Sequence, residues 1–212
     1  MSIRKQLLIF LLFLNLFVIC LNAQDELPKP GRYAIVPDQS RIEVKAGASG
    51  MLGFMGHGHT IAPKVFGGEI EIKPKEKIPA VVSIRIDAAS LHETAEFKPE
   101  DKNKIETQLH GEVLETTKYP QITFQSTNVQ YSESPGHVLD AQIEGDFALH
   151  GVTRKITVPA RIVDDGTNLH ATGKFEINRQ DYKIEPKSAG GGTVKVSKTL
   201  EVSFDLLLKP EQ

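Results

Sequence analysis

Val194-Lys195-Val196-Ser197-Lys198-Thr199-Leu200-Glu201-Val202-Ser203-Phe204-Asp205-Leu206-Leu207-Leu208 decides how this chain is read. Its even positions are apolar except at Lys198, and its odd positions are polar until Leu207. Successive side chains of a β-strand point to opposite faces, so this is a long strand with one face buried and one wet. A helix would repeat its apolar residues every three to four positions, and this segment does not.

The same period runs upstream. Ile42, Val44 and Ala46 alternate with charged residues, as do Ile70 with Ile72 and Val82 with Ile84 and Ile86. Ile143, Phe147 and Leu149 share a face, and so do Ile156, Val158, Ala160 and Ile162. Turn signals are read at Gly67-Gly68, Lys73-Pro74, Ser134-Pro135-Gly136, Asp164-Asp165-Gly166 and Gly190-Gly191-Gly192. Alternation this clean belongs to an antiparallel sheet curled around its own interior, not to a parallel sheet buried on both faces. Residues 99–115 are the exception. Pro99, Glu100 and Asp101 suit the first turn of a helix, and Ile105, Leu109 and Val113 form a stripe expected to lie against the barrel. The stretch 24–32 (QDELPKPGR) reads as a polar leader, and 33–210 as a single domain.

Residues 1–23 read as a secretory signal peptide. Arg4 and Lys5 precede a run of 15 residues, Leu7 to Leu21, broken only by Asn15. That is shorter than the roughly 20 apolar residues of a membrane span. Cleavage is placed after Ala23; lipidation at Cys20 and an uncleaved anchor are the alternatives. Removal of the segment takes away the single cysteine, so no disulfide framework is available and stability must come from a core. It leaves 23 basic against 27 acidic residues, a balance that argues against nucleic acid as a partner and against a polybasic membrane patch. The expected location is periplasmic or secreted, with no transmembrane span in the mature chain.

Four blocks resemble one family. Tyr33-Ala34-Ile35-Val36-Pro37-Asp38-Gln39-Ser40 is similar to the opening Y-x-I-D-P-x-x-S of YceI-like proteins, and Tyr119-Pro120-Gln121-Ile122-Thr123-Phe124-Gln125-Ser126 to their YPxIxFxS strand. Gly145 through Arg154 resembles their G-x-L-T-x-x-G-V-T-K/R hairpin, and Asp181-Tyr182-Lys183-Ile184 through Val196 their closing loop and last strand. The blocks stand in family order from Tyr33 to about Leu208. The resemblance implies a lipocalin-like, extended antiparallel β-barrel with one short helix packed on it. It also implies a deep apolar cavity for isoprenoid quinones or polyprenols, and export to the periplasm. The kinship with true lipocalins is architectural, since the chain has no tryptophan for their Gly-x-Trp motif. Gly56-His57-Gly58-His59 departs from many members and resembles a subgroup with Gly-His-x-His at this place.

Alternation by itself builds a packed core as readily as a cavity. With the resemblance, the expected tunnel wall is Val44, Phe54, Ile70, Ile84, Phe124, Phe147, Ile156, Phe175, Val202 and Phe204. A small hydrophobic or amphiphilic ligand is the expected partner, no cofactor is required, and a homodimer stays open. Met51, Leu52, Phe54 and Met55 among five glycines read either as a flap at an entrance or as a surface loop. On an extended segment His57 and His59 point the same way, which suits a ligand head group, a metal or plain hydrogen bonding. A metal would need further ligands, with His110 or His150 as candidates; a periplasmic metal-binding protein or metal-dependent enzyme is therefore the runner-up. His92, His137 and His170 read as solvated, and His150 as a hairpin residue. No catalytic residue is assigned. Ser90, Ser126 and Ser188 are not on a Gly-x-Ser-x-Gly elbow, no His-Glu-x-x-His is present, and Glu93 and Glu96 beside His92 read as a solvated face.

Overall fold

The computed structural model describes residues 28–49, 58–73, 76, 79–185 and 195–211. The proposed signal segment, His57, Phe54, Val194 and the triple glycine lie outside them. In chain order the strands are β1 (Gly31–Ile35), β2 (Arg41–Ser49), β3 (His59–Pro63), β4 (Phe66–Ile72), β5 (Ala80–Asp87), β6 (Leu91–Glu93), β7 (Gln121–Ser134), β8 (Val138–Leu149), β9 (Val152–Asp164), β10 (Leu169–Asn178) and β11 (Lys195–Pro210). Among the described residues one α-helix, α1 (Pro99–Gln108), continues as a π turn over Leu109–Val113.

All pairings are antiparallel. β1, β4, β5, β7, β8, β9, β10 and β11 follow one another, and β11 pairs back to β1, closing an eight-stranded barrel. β2, β3 and β6 prolong β1, β4 and β5 beyond a crease. β1 and β2 are interrupted by a 3₁₀ turn at Pro37–Gln39, and β5 and β6 by another at Ala88–Ser90. Side chains stitch the crease. Ser40 Oγ accepts the Leu207 amide at 3.0 Å, and Ser90 Oγ accepts the Val65 amide at 3.0 Å. β6 does not pair with β7, because the chain leaves β6 to form α1 and the π turn before entering β7 at Gln121. The barrel therefore has one open end, at β2, β3 and β6, with α1 across it.

Several expectations need correction. Gly67-Gly68 is not a turn: both residues lie inside β4, and a Cβ on Gly68 would come within 2.2 Å of the Ser83 carbonyl on β5. The glycines permit close approach of two strands, and the chain only bends at Lys64-Val65, where β3 passes into β4. Strand β1 begins at Gly31, within the stretch read as a leader, and Gly31 and Arg32 pair with Ile72 and Glu71. The break at Lys198 is a bulge, since the β11–β2 register shifts between Val196 and Leu200. The stripe of Ile105, Leu109 and Val113 lies against the barrel as expected, at its open end, where it lines the lumen and Leu109 and Val113 pack on the core.

The closed end is plugged by apolar side chains. Leu208 and Leu169, paired across β10–β11, are 0% and 1% exposed, and Tyr33, Ile35, Ile72 and Leu206 join them.

Candidate ligand cavity and its polar rim

The alternating faces enclose a cavity of about 770 Å³ that runs from the open end towards this plug. Val44, Ile70, Ile84, Phe124, Phe147, Ile156, Phe175, Val202 and Phe204 all line it; Phe54, the tenth residue expected there, lies outside the described residues. Two aromatic rings keep the lumen open by lying over glycines. A Cβ on Gly145 would meet the Phe124 ring at 2.5 Å, and one on Gly173 would meet the Phe204 ring at 2.3 Å. The absence of side chains there lets each ring take up room in the wall instead of in the lumen.

Among the described residues only five that line it are polar: His59, Asp101, Gln108, Glu112 and Arg179. All stand at the open end, three of them on α1 and its π turn. His59 pairs with Ala46 across β2–β3, and Ala46 with Leu200 across β11–β2, so the three side chains share the inward face. Its ring is stacked on Phe97 with centroids 5.7 Å apart.

Behind His59 stands Glu93, whose side chain has no solvent exposure at all. Its Oε2 accepts from His59 Nδ1 at 2.8 Å, and its Oε1 accepts the amides of Thr60 at 3.0 Å and Ala95 at 2.9 Å. Three donors around two oxygens are what an ionised carboxylate needs when buried. Holding the proton of His59 on Nδ1 leaves Nε2 as the group offered to a ligand. The Glu93 amide donates in turn to Glu106 Oε1 at 3.1 Å, which ties α1 to β6. The solvated reading of Glu93 was therefore wrong, although its parity with inward-facing Leu91 was a usable signal.

Arg179 was also missed. It continues the inward parity of Phe175 and Ile177 at the end of β10, where its guanidinium is buried. Nε donates to the Ser197 carbonyl at 3.0 Å, and Nη1 donates to the Ile184 carbonyl at 2.7 Å and to Glu185 at 3.3 Å. Bonds from Gln180 and then Arg179 hold the Glu185 carboxyl below its ordinary value. Tyr182, in the same turn, is buried edge-on to Phe147 at 5.6 Å, and burial pushes its phenol upward.

His150 does not approach His59's carboxylate. At φ +51° in the β8–β9 hairpin, it donates through Nδ1 to the Tyr182 carbonyl at 3.0 Å and meets Glu115 through Nε2 at 3.0 Å, joining three loops of the rim. His92 and His110, read as solvated and as ambiguous, are half-buried, each with a buried Nδ1 that has no partner. His137 and His170 are exposed as expected. Among the described residues, no three His, Cys, Asp or Glu side chains are grouped to hold a metal ion, and no helix is long and apolar enough to cross a membrane.

The YceI-like domain family matches residues 33–208. The chain belongs to that family. Protein YceI of Shigella flexneri is 34% identical over 133 residues, which are 58% of this chain and 61% of that protein. The match thus spans about three fifths of the length of this relative. Among solved structures, the polyisoprenoid binding domain from Saccharophagus degradans, implicated in plant cell wall breakdown, superposes with a TM-score of 0.63 at 16% identity, covering 84% of this chain and 98% of that one. BcnA of Burkholderia cenocepacia gives 0.62 at 18% identity, covering 82% and 98%. At such identities these two likenesses speak for the YceI-like fold. The family resemblance read from the four sequence blocks, and the barrel it implied, are thereby established.

Proposed function

We propose that this protein is an exported carrier that holds an isoprenoid of the quinone or polyprenol kind, or a related long amphiphile. The tail occupies the lumen and the head sits at the rim formed by His59, Arg179 and α1. One observation carries the reading: a cavity of about 770 Å³, apolar along its length and polar only at its open end. Packed interiors leave few voids larger than a water, so an apolar space of this size is built for an occupant. Filling it removes apolar surface from water on both partners, worth roughly 25 cal/mol per Å². The polyisoprenoid binding domain of the same fold supports this ligand class, and the basic and apolar pattern of residues 1–23 supports export.

The rim narrows the choice of head. Nε2 of His59 accepts a hydrogen bond from a hydroxyl when the ring is neutral, and donates to that hydroxyl when the ring is protonated. An alcohol is served in both states; a quinone carbonyl is served only by the second. His59→Asn keeps an N–H donor close to the position of Nδ1 for Glu93 and removes Nε2. Prenol affinity then falls about three- to tenfold, the worth of one hydrogen bond of about 0.5–1.5 kcal/mol.

The deciding experiment is native mass spectrometry of residues 24–212, purified from an exporting bacterial host without metal-affinity resin. An added mass that extracts into organic solvent and matches a polyprenol or quinone is expected. A protein that carries no such mass and takes up no added lipid overturns the carrier reading.

Glu93 favours a second reading. A carboxylate on the far ring nitrogen is the usual support of a metal-bound histidine, and such a site would need His57 as a further ligand. An added mass removed by chelator and lost in His57→Ala would select it.

A further inference from the structure

The cavity does not end against a single wall. Beyond it, on the closed side, lies a separate space of about 50 Å³ bordered by the small side chains of Ala80 and Ala141. Four residues, Ile70, Val82, Ile143 and Ile162, face both spaces. They come from β4, β5, β8 and β9, Ile70 is paired directly with Val82, and all four pack in one cluster with Ala141. The partition is therefore one side chain thick. Each of its members is β-branched and holds few rotamers, so the layer is stiff and does not yield by simple side-chain rotation.

We propose that this four-residue layer is the floor that sets the longest tail the barrel accepts, and that the space beneath it is the next increment of length. The inference rests on the carrier reading above. By the measure in which about 10–15 Å³ admits one water-sized group, the lower space has room for roughly three to five such groups. That is close to one five-carbon isoprenyl unit. Removing part of the floor would join the spaces without touching the rim, so tail length and head recognition are set by different residues at opposite ends of the lumen.

The test is competition among all-trans prenols of increasing length, supplied in equimolar mixture to the purified protein and read by native mass spectrometry. The original protein retains prenols up to a cut-off length. Ile143→Ala moves that cut-off longer by one isoprenyl unit, and Ile143→Val moves the distribution the same way by less, which keeps the test alive if the alanine variant does not fold. Adding Ala141→Leu to either variant refills the lower space and returns the cut-off to its original place. A cut-off unmoved in the variants, with prenols still bound, overturns the floor and leaves the carrier reading standing. A protein that binds no prenol of any length overturns both.

Discussion

The two ends of the barrel are built from the same alternating strands and put them to opposite use. At the closed end, inward positions are filled by Leu169, Leu208, Ile72 and Tyr33, and the one buried carboxyl among the described residues there, Asp164, is turned to accept the Gly166 amide. At the open end, the inward parity carries His59, Glu93 and Arg179; Glu93 and Arg179 are each held by two hydrogen bonds to backbone, and His59 is held by Glu93. One end is sealed by apolar packing, which is non-directional. The other is held by a buried polar network, whose value lies in fixing directions: a carboxylate behind an imidazole, a guanidinium over two carbonyls. Stability and ligand orientation are thus divided along the axis.

Glu93→Ala should have the largest effect on this division. It strands two amides and His59 Nδ1 in a buried site and should cost about 3–5 kcal/mol in urea unfolding. Ile35→Ala, in the closed-end cluster and away from the cavity lining, should cost about 2–5 kcal/mol by leaving a hole in the packing. The two should differ in kind: the first should also weaken prenol binding in whatever protein stays folded, and the second should not. Equal effects on binding would dissolve the contrast.

Gly173→Ala comes next, acting between the ends. Its Cβ would lie 2.3 Å from the Phe204 ring and 2.4 Å from the Pro159 carbonyl, so the ring must swing into the lumen. A loss of about 1–3 kcal/mol is expected, as for other overpacked sites, together with a smaller ligand capacity in native mass spectrometry. An unchanged capacity would show that the glycine serves strand packing alone.

The smallest effect belongs to Asp165. Amides of Asn168 and Thr167 hold its carboxyl below the usual carboxylate range. A lowered folded value means that its contribution is complete above the unfolded value of about 3.9. That contribution is lost as pH falls through the folded value. Asp165→Asn should therefore lower stability slightly at neutral pH, with the difference from the original protein vanishing as pH falls through the folded value, and leave ligand binding unchanged.

Much of the fold was legible because period two is a strong signal over long strands: β11, β8 and β9 declared both their span and their faces. Local chemistry misled where it has two meanings. A glycine pair reads as a turn, yet in β4 it makes room for a neighbouring backbone. The stripe on α1 was visible, but its spacing tells only that one face is apolar, not whether a wall or a lumen lies opposite. At the rim, Glu93 and Arg179 both sit on inward parity; Glu93 reads as solvated because charge near an element's end normally is, and Arg179 carries no signal beyond that parity. What revealed them is long-range: Glu93 meets a histidine 34 positions away, and no local pattern encodes that pairing.

The seam that closes the ring joins Tyr33 to Pro210 and Ile35 to Leu208, the first strand to the last. That long loop must be closed before the contacts reward it, so the topology belongs to the slow end of folding rates. β11 also supplies the partner edge for β2 and β10. Until its sixteen residues are in place, three other strands lack a neighbour and the lumen has no fourth side. The last strand is therefore the stave that completes the vessel, and on this topology the chain's two ends, not its middle, share the seam that holds the lumen shut.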